Sequence, residues 1–164
     1  MEIRRVTAAD AEALGRLDAS YSTDRVYVVE HDELALRLVE RRLDGPFVKR
    51  YPFAPADATH IALGGGEVVG ASGLVLEKWN RRMRLEHLYV EPAHRGRGVG
   101  GALVEAAVET AREAGARVLW CETQNVNPDA IDFYRRLRFE LAGFDLSLYD
   151  DAAGEVAVFL ARDV

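Results

Sequence analysis

The sequence is poor in the residues that build disulfides and metal centres. It contains one cysteine, Cys121, and four histidines that are scattered along the chain. A single cysteine excludes an intramolecular disulfide and suits a reducing compartment, so we expect a cytoplasmic protein. Because cysteine and histidine are too sparse for a zinc site, we also expect no metal.

Long apolar runs and an excess of positive charge are missing as well. No run approaches the length that crosses a bilayer, and residues 1–5 lack the apolar core of a signal peptide. The formal net charge is −6, which argues against nucleic-acid binding and favours a cationic partner such as an amine. We therefore expect neither a membrane nor a nucleic-acid partner.

What the sequence does contain is the composition of an ordinary globular domain. Hydrophobic residues make up 49% and charged residues 29%, without repeats or low-complexity tracts. A chain of 164 residues is long enough to bury a core of its own. We expect one domain that spans residues 1–164.

The chain is organised around a glycine-rich loop between a strand and a helix. An apolar run from Leu85 to Val90 is stopped by Pro92, which predicts a strand. Apolar residues then recur at helical spacing from Val99, and Gly115 follows the last turn, so we expect a helix of about four turns. Such a loop aligns free backbone N–H groups with the positive end of the helix dipole, a combination that binds phosphates.

Two kinds of phosphate ligand compete for this loop. It reads Gly96-Arg97-Gly98-Val99-Gly100-Gly101, which matches the dinucleotide pattern G-x-G-x-x-G, and Glu122 follows where a ribose-binding acid would lie. In a dinucleotide fold, however, the first glycine follows its strand at once, whereas residues 91–95 intervene here. The rest of the chain is also too short for a doubly wound domain. The same residues also read Arg95-x-x-Gly98-x-Gly100, which resembles the pyrophosphate loop of acyl-coenzyme A transferases. Two loop arginines suit such a ligand with several phosphates, because guanidinium groups pair with them bidentately, and coenzyme A is therefore the ligand that we expect.

The N-terminal part is less distinctive. A strand over residues 2–6 precedes Thr7, which begins a capping box and a helix that reaches Asp18. Apolar residues of period two favour a hairpin over residues 24–43 with a turn at His31-Asp32, and a helix is the alternative. We expect Asp44-Gly45-Pro46 to break whichever element is present.

The remaining chain alternates strands and helices. Gly64-Gly65-Gly66 predicts a hairpin, and Asn127 is the expected N-cap of a second helix with Pro128 in its first position. Strands are expected at residues 59–63, 67–76, 83–90, 117–123, 141–149 and 155–160. This order predicts an α+β fold with a mixed, mostly antiparallel central sheet that is flanked by helices and has one parallel crossover.

Two motifs at this spacing resemble motifs A and B of the GNAT N-acetyltransferases. They read Arg95-x-x-Gly98-x-Gly100 and Asn127-x-x-Ala130-x-x-Phe133-Tyr134. The C-terminal half, with Glu122-Thr123-Gln124, Gly143-Phe144-Asp145 and Tyr149, is also similar to the streptothricin acetyltransferases. One position departs from the pattern, because Arg138 stands where a glycine usually precedes phenylalanine, and we expect it to affect how the helix ends.

The resemblance implies a GNAT fold with a splayed parallel strand pair, a β-α-β-α-β-β C-terminal half, and acetyl-CoA as the donor. It implies that the backbone of Leu88, Tyr89 and Val90 binds the pantetheine arm, which Asn127 also contacts. The residues expected at the diphosphate are Arg95, Gly96, Arg97, Gly98, Val99 and Gly100. A homodimer through the C-terminal strands is also common in the family.

Acetyl transfer to an amine is helped by a base, because an alkyl ammonium with a pKa near ~10.4 is only about 0.05% neutral at pH 7. Glu86 is the expected base, since it lies on the strand that leads to the loop, and Glu122 is the alternative. Tyr134 is expected to contact the coenzyme and to protonate its thiolate, as a tyrosine does in the family.

Together these features predict an acetyl-CoA-dependent N-acetyltransferase that acts on a primary amine of a small molecule. A streptothricin-like acceptor, and with it antibiotic resistance, follows from the narrower similarity. The alternatives are a protein or peptide N-acetyltransferase and a non-catalytic acyl-CoA sensor.

Overall fold

The structure, a computed structural model, describes residues 1–51, 57–150 and 154–164. In chain order its elements are β1 (Glu2–Arg5), α1 (Ala11–Leu14), β2 (Ser20–Asp32), β3 (Ala35–Arg50), β4 (His60–Gly64), β5 (Glu67–Glu77), β6 (Arg82–Val90), α2 (Val99–Glu113), β7 (Val118–Gln124), α3 (Pro128–Arg136), β8 (Glu140–Asp145) and β9 (Ala157–Asp163). They fall into two compact units, the first with residues 1–21, 50–120 and 163–164, and the second with residues 22–49 and 121–162.

The strands form a mixed, mostly antiparallel sheet. In the first unit the strand order is β1-β4-β5-β6-β7. In the second unit the order is β7-β9-β8, and a separate two-stranded sheet is formed by β2 and β3. The pairs β1–β4, β4–β5, β5–β6 and β8–β9 are antiparallel, whereas β6 and β7 are parallel. The order from β6 to β9 is β-α-β-α-β-β. These features confirm the predicted fold class.

The segment that allowed either a hairpin or a helix is a long hairpin of β2 and β3. Its turn lies at Glu33-Leu34 rather than at His31-Asp32, and Glu33 has a φ of 46°. The expectation that Asp44-Gly45-Pro46 breaks the strand is wrong, because β3 continues to Arg50. Proline fits here because β2 is the only neighbour of β3 in the described sheet, so a missing N–H can face the open edge.

Other boundaries differ by less. The capping box of Thr7 and Asp10 is present as predicted, but α1 ends at Leu14 and does not reach Asp18. The hairpin of β4 and β5 turns at Gly65 and Gly66, whose φ angles of 63° and 89° need glycine. The predicted strand over residues 141–149 ends at Asp145 as β8, and the residues that follow form bends.

Helix α2 packs on one face of the sheet in the first unit. Its Val99 and Leu103 contact Ala62 and Val69 in a buried apolar cluster. Gly70 of β5 permits this close approach, because a Cβ there would lie 2.8 Å from a backbone oxygen of β6 and 3.2 Å from Leu103 Cδ1. The helix N-terminus is therefore held directly over the strands that lead to the glycine-rich loop.

Helix α3 ends in a Schellman motif in which Arg138 takes the place of glycine. The N–H of Phe139 donates to the carbonyl of Tyr134 at 3.1 Å, and the N–H of Arg138 donates to that of Arg135 at 3.0 Å. Arg138 has a φ of 66°, in the left-handed region that favours glycine. The departure from the motif therefore leaves the helix end intact and strains the backbone instead.

Candidate active site

Strand β6 carries a bulge at Glu86, the predicted base. The ladder with β5 pairs Gly73 with His87 and Leu74 with Leu85, so that Glu86 is the extra residue. Its carboxylate lies 2.5 Å from Nε of Arg84, and its side chain is 32% exposed. The structure therefore places Glu86 at a distortion of the strand, partly open to solvent and in an ion pair.

Beyond this bulge, the edge of β6 that faces away from β5 has backbone groups that no other strand of the described residues pairs with. The parallel ladder with β7 stops at Arg84. Because the N–H of Glu91 donates to β5 at 3.0 Å, the antiparallel alternation makes Tyr89 the residue that exchanges hydrogen bonds with β5. Leu88 and Val90 therefore direct their N–H and C=O groups to the other edge. The carbonyl of Val90 accepts from Nε of Arg95 there, so the N–H of Val90 and both backbone groups of Leu88 are the ones with which an extended pantetheine arm would pair like an added strand.

Arg95 fixes the start of the loop. Its Nε donates to the carbonyl of Val90 at 2.9 Å, and its Nη2 donates to that of Ser20 at 2.6 Å. Arg97, by contrast, is exposed and makes no hydrogen bond or ion pair with the part of the chain that the structure describes. Of the two loop arginines, Arg97 is therefore the one that is available to a diphosphate.

The loop ends at the N-terminus of α2 with amides that point out of the helix. Gly96 and Gly98 have φ angles of 72° and 84°. Gly98 is the N-cap, has no side chain to cap the helix, and accepts the N–H of Ala102 at 3.0 Å. The amides of residues 99–101 precede this first intrahelical bond and carry the positive end of the dipole. Free amides at a helix N-terminus after a glycine-rich loop are the arrangement that binds phosphates in other proteins.

In the second unit, α3 carries the other two predicted residues. Asn127 is the N-cap as predicted, and its side-chain oxygen accepts the N–H of Ala130 at 3.2 Å. Tyr134 is 7% exposed, and its ring centroid lies 5.2 Å from that of Phe139. Its hydroxyl forms a hydrogen bond with the thiol of Cys121. The structure thus places Asn127 and Tyr134 on α3, in the second unit, and Glu86 and the loop in the first.

The buried cysteine is unsuited to carry an acyl group. Cys121 is 1% exposed, and this burial raises the pKa of its thiol far above the usual range. The carboxylate of Glu122 raises that pKa further. A neutral thiol is a weak nucleophile, so direct transfer from thioester to amine is the chemistry that the residues favour.

Two groups of side chains were not predicted. In the first unit, the rings of Tyr21 and Tyr51 stack at 5.9 Å, and those of His87 and Tyr89 stack at 5.8 Å. Burial raises the pKa of Tyr89, and the Glu86 carboxylate adds to that shift. His87 and Tyr89 lie two residues apart on β6, but Tyr21 and Tyr51 come from distant positions, so local spacing does not predict that they stack. The second group lies in the second unit and consists of Glu122, Gln124 and Tyr149, whose side chains are joined by hydrogen bonds.

No metal centre is evident in the described ranges, where no cluster of three or more histidine, cysteine, aspartate or glutamate side chains could hold an ion. None of the helices described is long and apolar enough to cross a membrane.

Comparison with known proteins identifies the family. The Acetyltransferase (GNAT) family profile matches residues 20–139. The streptothricin acetyltransferase of Streptomyces lavendulae is 36% identical, over 98% of this chain and 93% of its own length. The crystal structure of nourseothricin acetyltransferase has a TM-score of 0.90 at 40% identity and covers 99% of this chain and 97% of that one. A Bacillus anthracis structure in complex with acetyl coenzyme A has a TM-score of 0.87 at 23% identity, covers 99% of both chains, and shows the fold.

The chain therefore belongs to the GNAT family of acetyltransferases. It is an N-acetyltransferase whose acetyl donor is acetyl-CoA. The open edge of β6 and the amides at the start of α2 fit this donor, because one offers partners to an extended amide arm and the other binds a diphosphate. The dinucleotide interpretation of the loop is wrong.

Proposed function

We propose that this enzyme acetylates a primary amine of a small, cationic molecule that resembles streptothricin. The similarity to the Streptomyces lavendulae protein spans 98% of the chain, and a streptothricin acetyltransferase of Bacillus subtilis is 29% identical over 73% of it. The net charge of −6 suits a cationic acceptor. A resistance role follows if the acceptor is such an antibiotic.

For the donor, we propose that the acetyl-CoA arm pairs with the backbone of Leu88 and Val90 along β6, on either side of Tyr89, whose own backbone groups pair with β5. Its diphosphate lies on the loop from Arg95 to Gly100, where the helix amides and the exposed Arg97 neutralise it. The observation that carries this proposal is that the β6 edge beyond the β7 ladder is continuous with the N-terminus of α2 within one compact unit. Asn127 supplies a further amide to the arm.

For the chemistry, we propose that Glu86 accepts a proton from the bound ammonium. The neutral amine then attacks the thioester carbonyl, and the tetrahedral intermediate expels the thiolate. Tyr134 donates its hydroxyl proton to that thiolate, and a proton released from the new amide nitrogen restores the tyrosine. The partial exposure of Glu86 at its bulge supports its role, because the bulge breaks the strand pairing there and leaves the side chain within reach of an acceptor.

The phosphate-binding step is tested by a matched pair of glycine substitutions. Gly98 and Gly115 flank α2 with φ angles of 84° and 70°, so an aspartate at either position strains the backbone by about 1–2 kcal/mol. Gly98→Asp also places a carboxylate at the diphosphate, and we expect it to abolish coenzyme A binding in calorimetry. Gly115→Asp should bind normally. Near-normal affinity in Gly98→Asp would show that the loop has another role.

The acceptor is tested by incubating the enzyme with acetyl-CoA and streptothricin, other small amines or peptides, and by identifying acetylated products by mass spectrometry. Transfer to the antibiotic confirms the proposal, and transfer to peptides alone refutes it. Coenzyme binding without transfer to any amine would instead indicate an acyl-CoA sensor.

We also propose a cytoplasmic homodimer without membrane or nucleic-acid partners. Support for a dimer comes from large apolar side chains that are exposed on and after β8, among them Leu141 at 48%, Leu146 at 52% and Leu148 at 51%. Light scattering measures the mass in solution, and a monomer across the working concentration range would refute this part.

A further inference from the structure

A hydrogen-bonded network in the second unit has no part in the chemistry proposed above. The hydroxyl of Tyr149 lies 2.6 Å from Oε1 of Glu122, and Nε2 of Gln124 lies 2.5 Å from the same hydroxyl. Glu122 and Gln124 lie at the C-terminal end of β7, and Tyr149 is the last residue of the bends that follow β8. Both hydrogen bonds are short, as expected where a charged acceptor polarises its donor.

The direction of these hydrogen bonds follows from the groups that make them. An ionised carboxylate only accepts, so the single proton of the Tyr149 hydroxyl goes to Glu122. The hydroxyl oxygen in turn accepts from the side-chain NH₂ of Gln124. A proton on Glu122 would displace the Tyr149 proton from its acceptor. The arrangement therefore favours Glu122 as a carboxylate of fixed orientation.

Two neighbouring side chains, Lys49 and Cys121, bear on the charge of this network. The ammonium of Lys49 lies 5.7 Å from the centroid of the Tyr149 ring, but it is bound by the buried carboxylate of Glu155. Cys121, next to Glu122 on β7, is a neutral thiol because burial raises its pKa. Glu122 itself is half-buried, so its charge is accessible while much of its hydration is removed.

We propose that Glu122 is the anchor for an ammonium group of the acceptor and that Tyr149 is the positioning residue that orients its carboxylate. A carboxylate has about four lone-pair sites, so it accepts an ammonium in addition to the Tyr149 hydroxyl. A carboxylate that is already oriented loses less conformational freedom when the ligand binds. This inference rests on the proposed function, and it extends that function to the recognition of charge on the acceptor.

The test is Tyr149→Phe, measured by steady-state kinetics with each substrate in turn. We expect KM for the amine to rise about three- to tenfold, because the carboxylate loses one hydrogen bond, while KM for acetyl-CoA stays the same. The acidic limb of kcat/KM for the amine should move to higher pH, since removing a donor destabilises the anion and a proton then binds more easily.

The matched control is Tyr27→Phe, which removes a tyrosine hydroxyl that donates to a different carboxylate of the same unit, Asp132, at 3.0 Å. It should leave the amine KM and the pH profile unchanged. If Tyr149→Phe leaves both quantities unchanged, or raises KM for both substrates equally, Tyr149 does not position an acceptor anchor.

Glu122→Gln provides a second measurement that keeps an acceptor for Tyr149. We expect a rise of at least about tenfold in KM for a cationic amine, with kcat little changed. A fall in kcat at constant KM would make Glu122 the base and overturn its role as an anchor. If the unaltered enzyme acetylates no amine at all, the proposed function fails, whereas normal turnover with unchanged Glu122→Gln and Tyr149→Phe enzymes refutes only this inference.

Discussion

Replacing Arg138 by glycine should stabilise the protein, because the strain at the end of α3 lies in one residue. With a φ of 66°, Arg138 has a backbone conformation that costs a residue with a Cβ about 1–2 kcal/mol. Glycine removes this cost but gains freedom in the unfolded chain, which takes back about 0.5–1 kcal/mol. The exposed side chain makes no hydrogen bond or ion pair with any residue in the described ranges, so no polar interaction is lost.

The net gain in the free energy of unfolding is about 0.5–1 kcal/mol, which for a chain of 164 residues raises Tm by roughly 1.5–3 °C. Thermal unfolding followed by circular dichroism, together with urea titration, measures both quantities. Arg138→Ala is the control, since alanine removes the guanidinium but retains the Cβ. It should melt with the unaltered protein.

Two results would refute this explanation. If Arg138→Gly melts at or below the temperature of the unaltered protein, the left-handed conformation carries no strain. If Arg138→Ala gains as much as Arg138→Gly, the stabilisation comes from relieving repulsion with the neighbouring Arg135 and Arg136 rather than from the backbone.

The remaining predictions concern a half-buried cation, an acid-sensitive carboxylate and the proposed proton donor. The side chain of Arg25 is 19% exposed and donates to Glu40, Asp129 and Asp132, so Arg25→Met should lower the free energy of unfolding in urea by about 2 kcal/mol. The control Arg42→Met breaks an exposed ion pair with Asp24 and should cost at most about 0.5 kcal/mol. Equal losses in the two variants would contradict this prediction. Hydrogen bonds from Arg4 and then Thr7 hold the pKa of Asp10 well below its usual value. The ionised Asp10 carboxylate therefore stabilises the folded protein at pH values above its unfolded pKa near ~3.9, and this stabilisation is lost as pH falls through its folded pKa. The loss of unfolding free energy in Asp10→Asn at pH 7 should therefore shrink below about pH 4. A deficit that is independent of pH would exclude this linkage. Tyr134→Phe should lower kcat on the order of a hundredfold with little change in coenzyme affinity by calorimetry, and the reverse pattern would indicate a binding role alone.

Much of the fold follows from local patterns in the sequence. The glycines at residues 65 and 66 and the asparagine at residue 127 each act through their own backbone, so their spacing predicts the turn and the helix start. The prediction that Asp44-Gly45-Pro46 breaks the strand was wrong because β3 has one neighbouring strand in the described sheet, and an open edge tolerates proline. Local sequence does not reveal which strand lies at an edge. The bulge at Glu86 likewise depends on the register with β5.

The donor half could be predicted and the acceptor half could not, because the two halves use different chemistry. The amides at the start of α2 and along β6, which we propose bind the diphosphate and the extended arm, require only glycines before a helix and a strand that ends nearby. These requirements produce a short motif that can be recognised in the sequence. Glu122 and Tyr149, by contrast, meet across 27 positions of the sequence, and neither predicts the other.

The donor half and the acceptor half should therefore respond differently to amino-acid substitutions. Conservative apolar changes at Leu88 or Val90 keep the backbone groups that face the open edge, so coenzyme binding should tolerate them as long as the strand packs. Single-atom changes at Glu122 or Tyr149 alter the charge or the proton that an acceptor would meet. Within the family, the donor can therefore stay the same while a few side chains change the amine that is acetylated, and identity along the whole chain is a better guide to the acceptor than the shared loop.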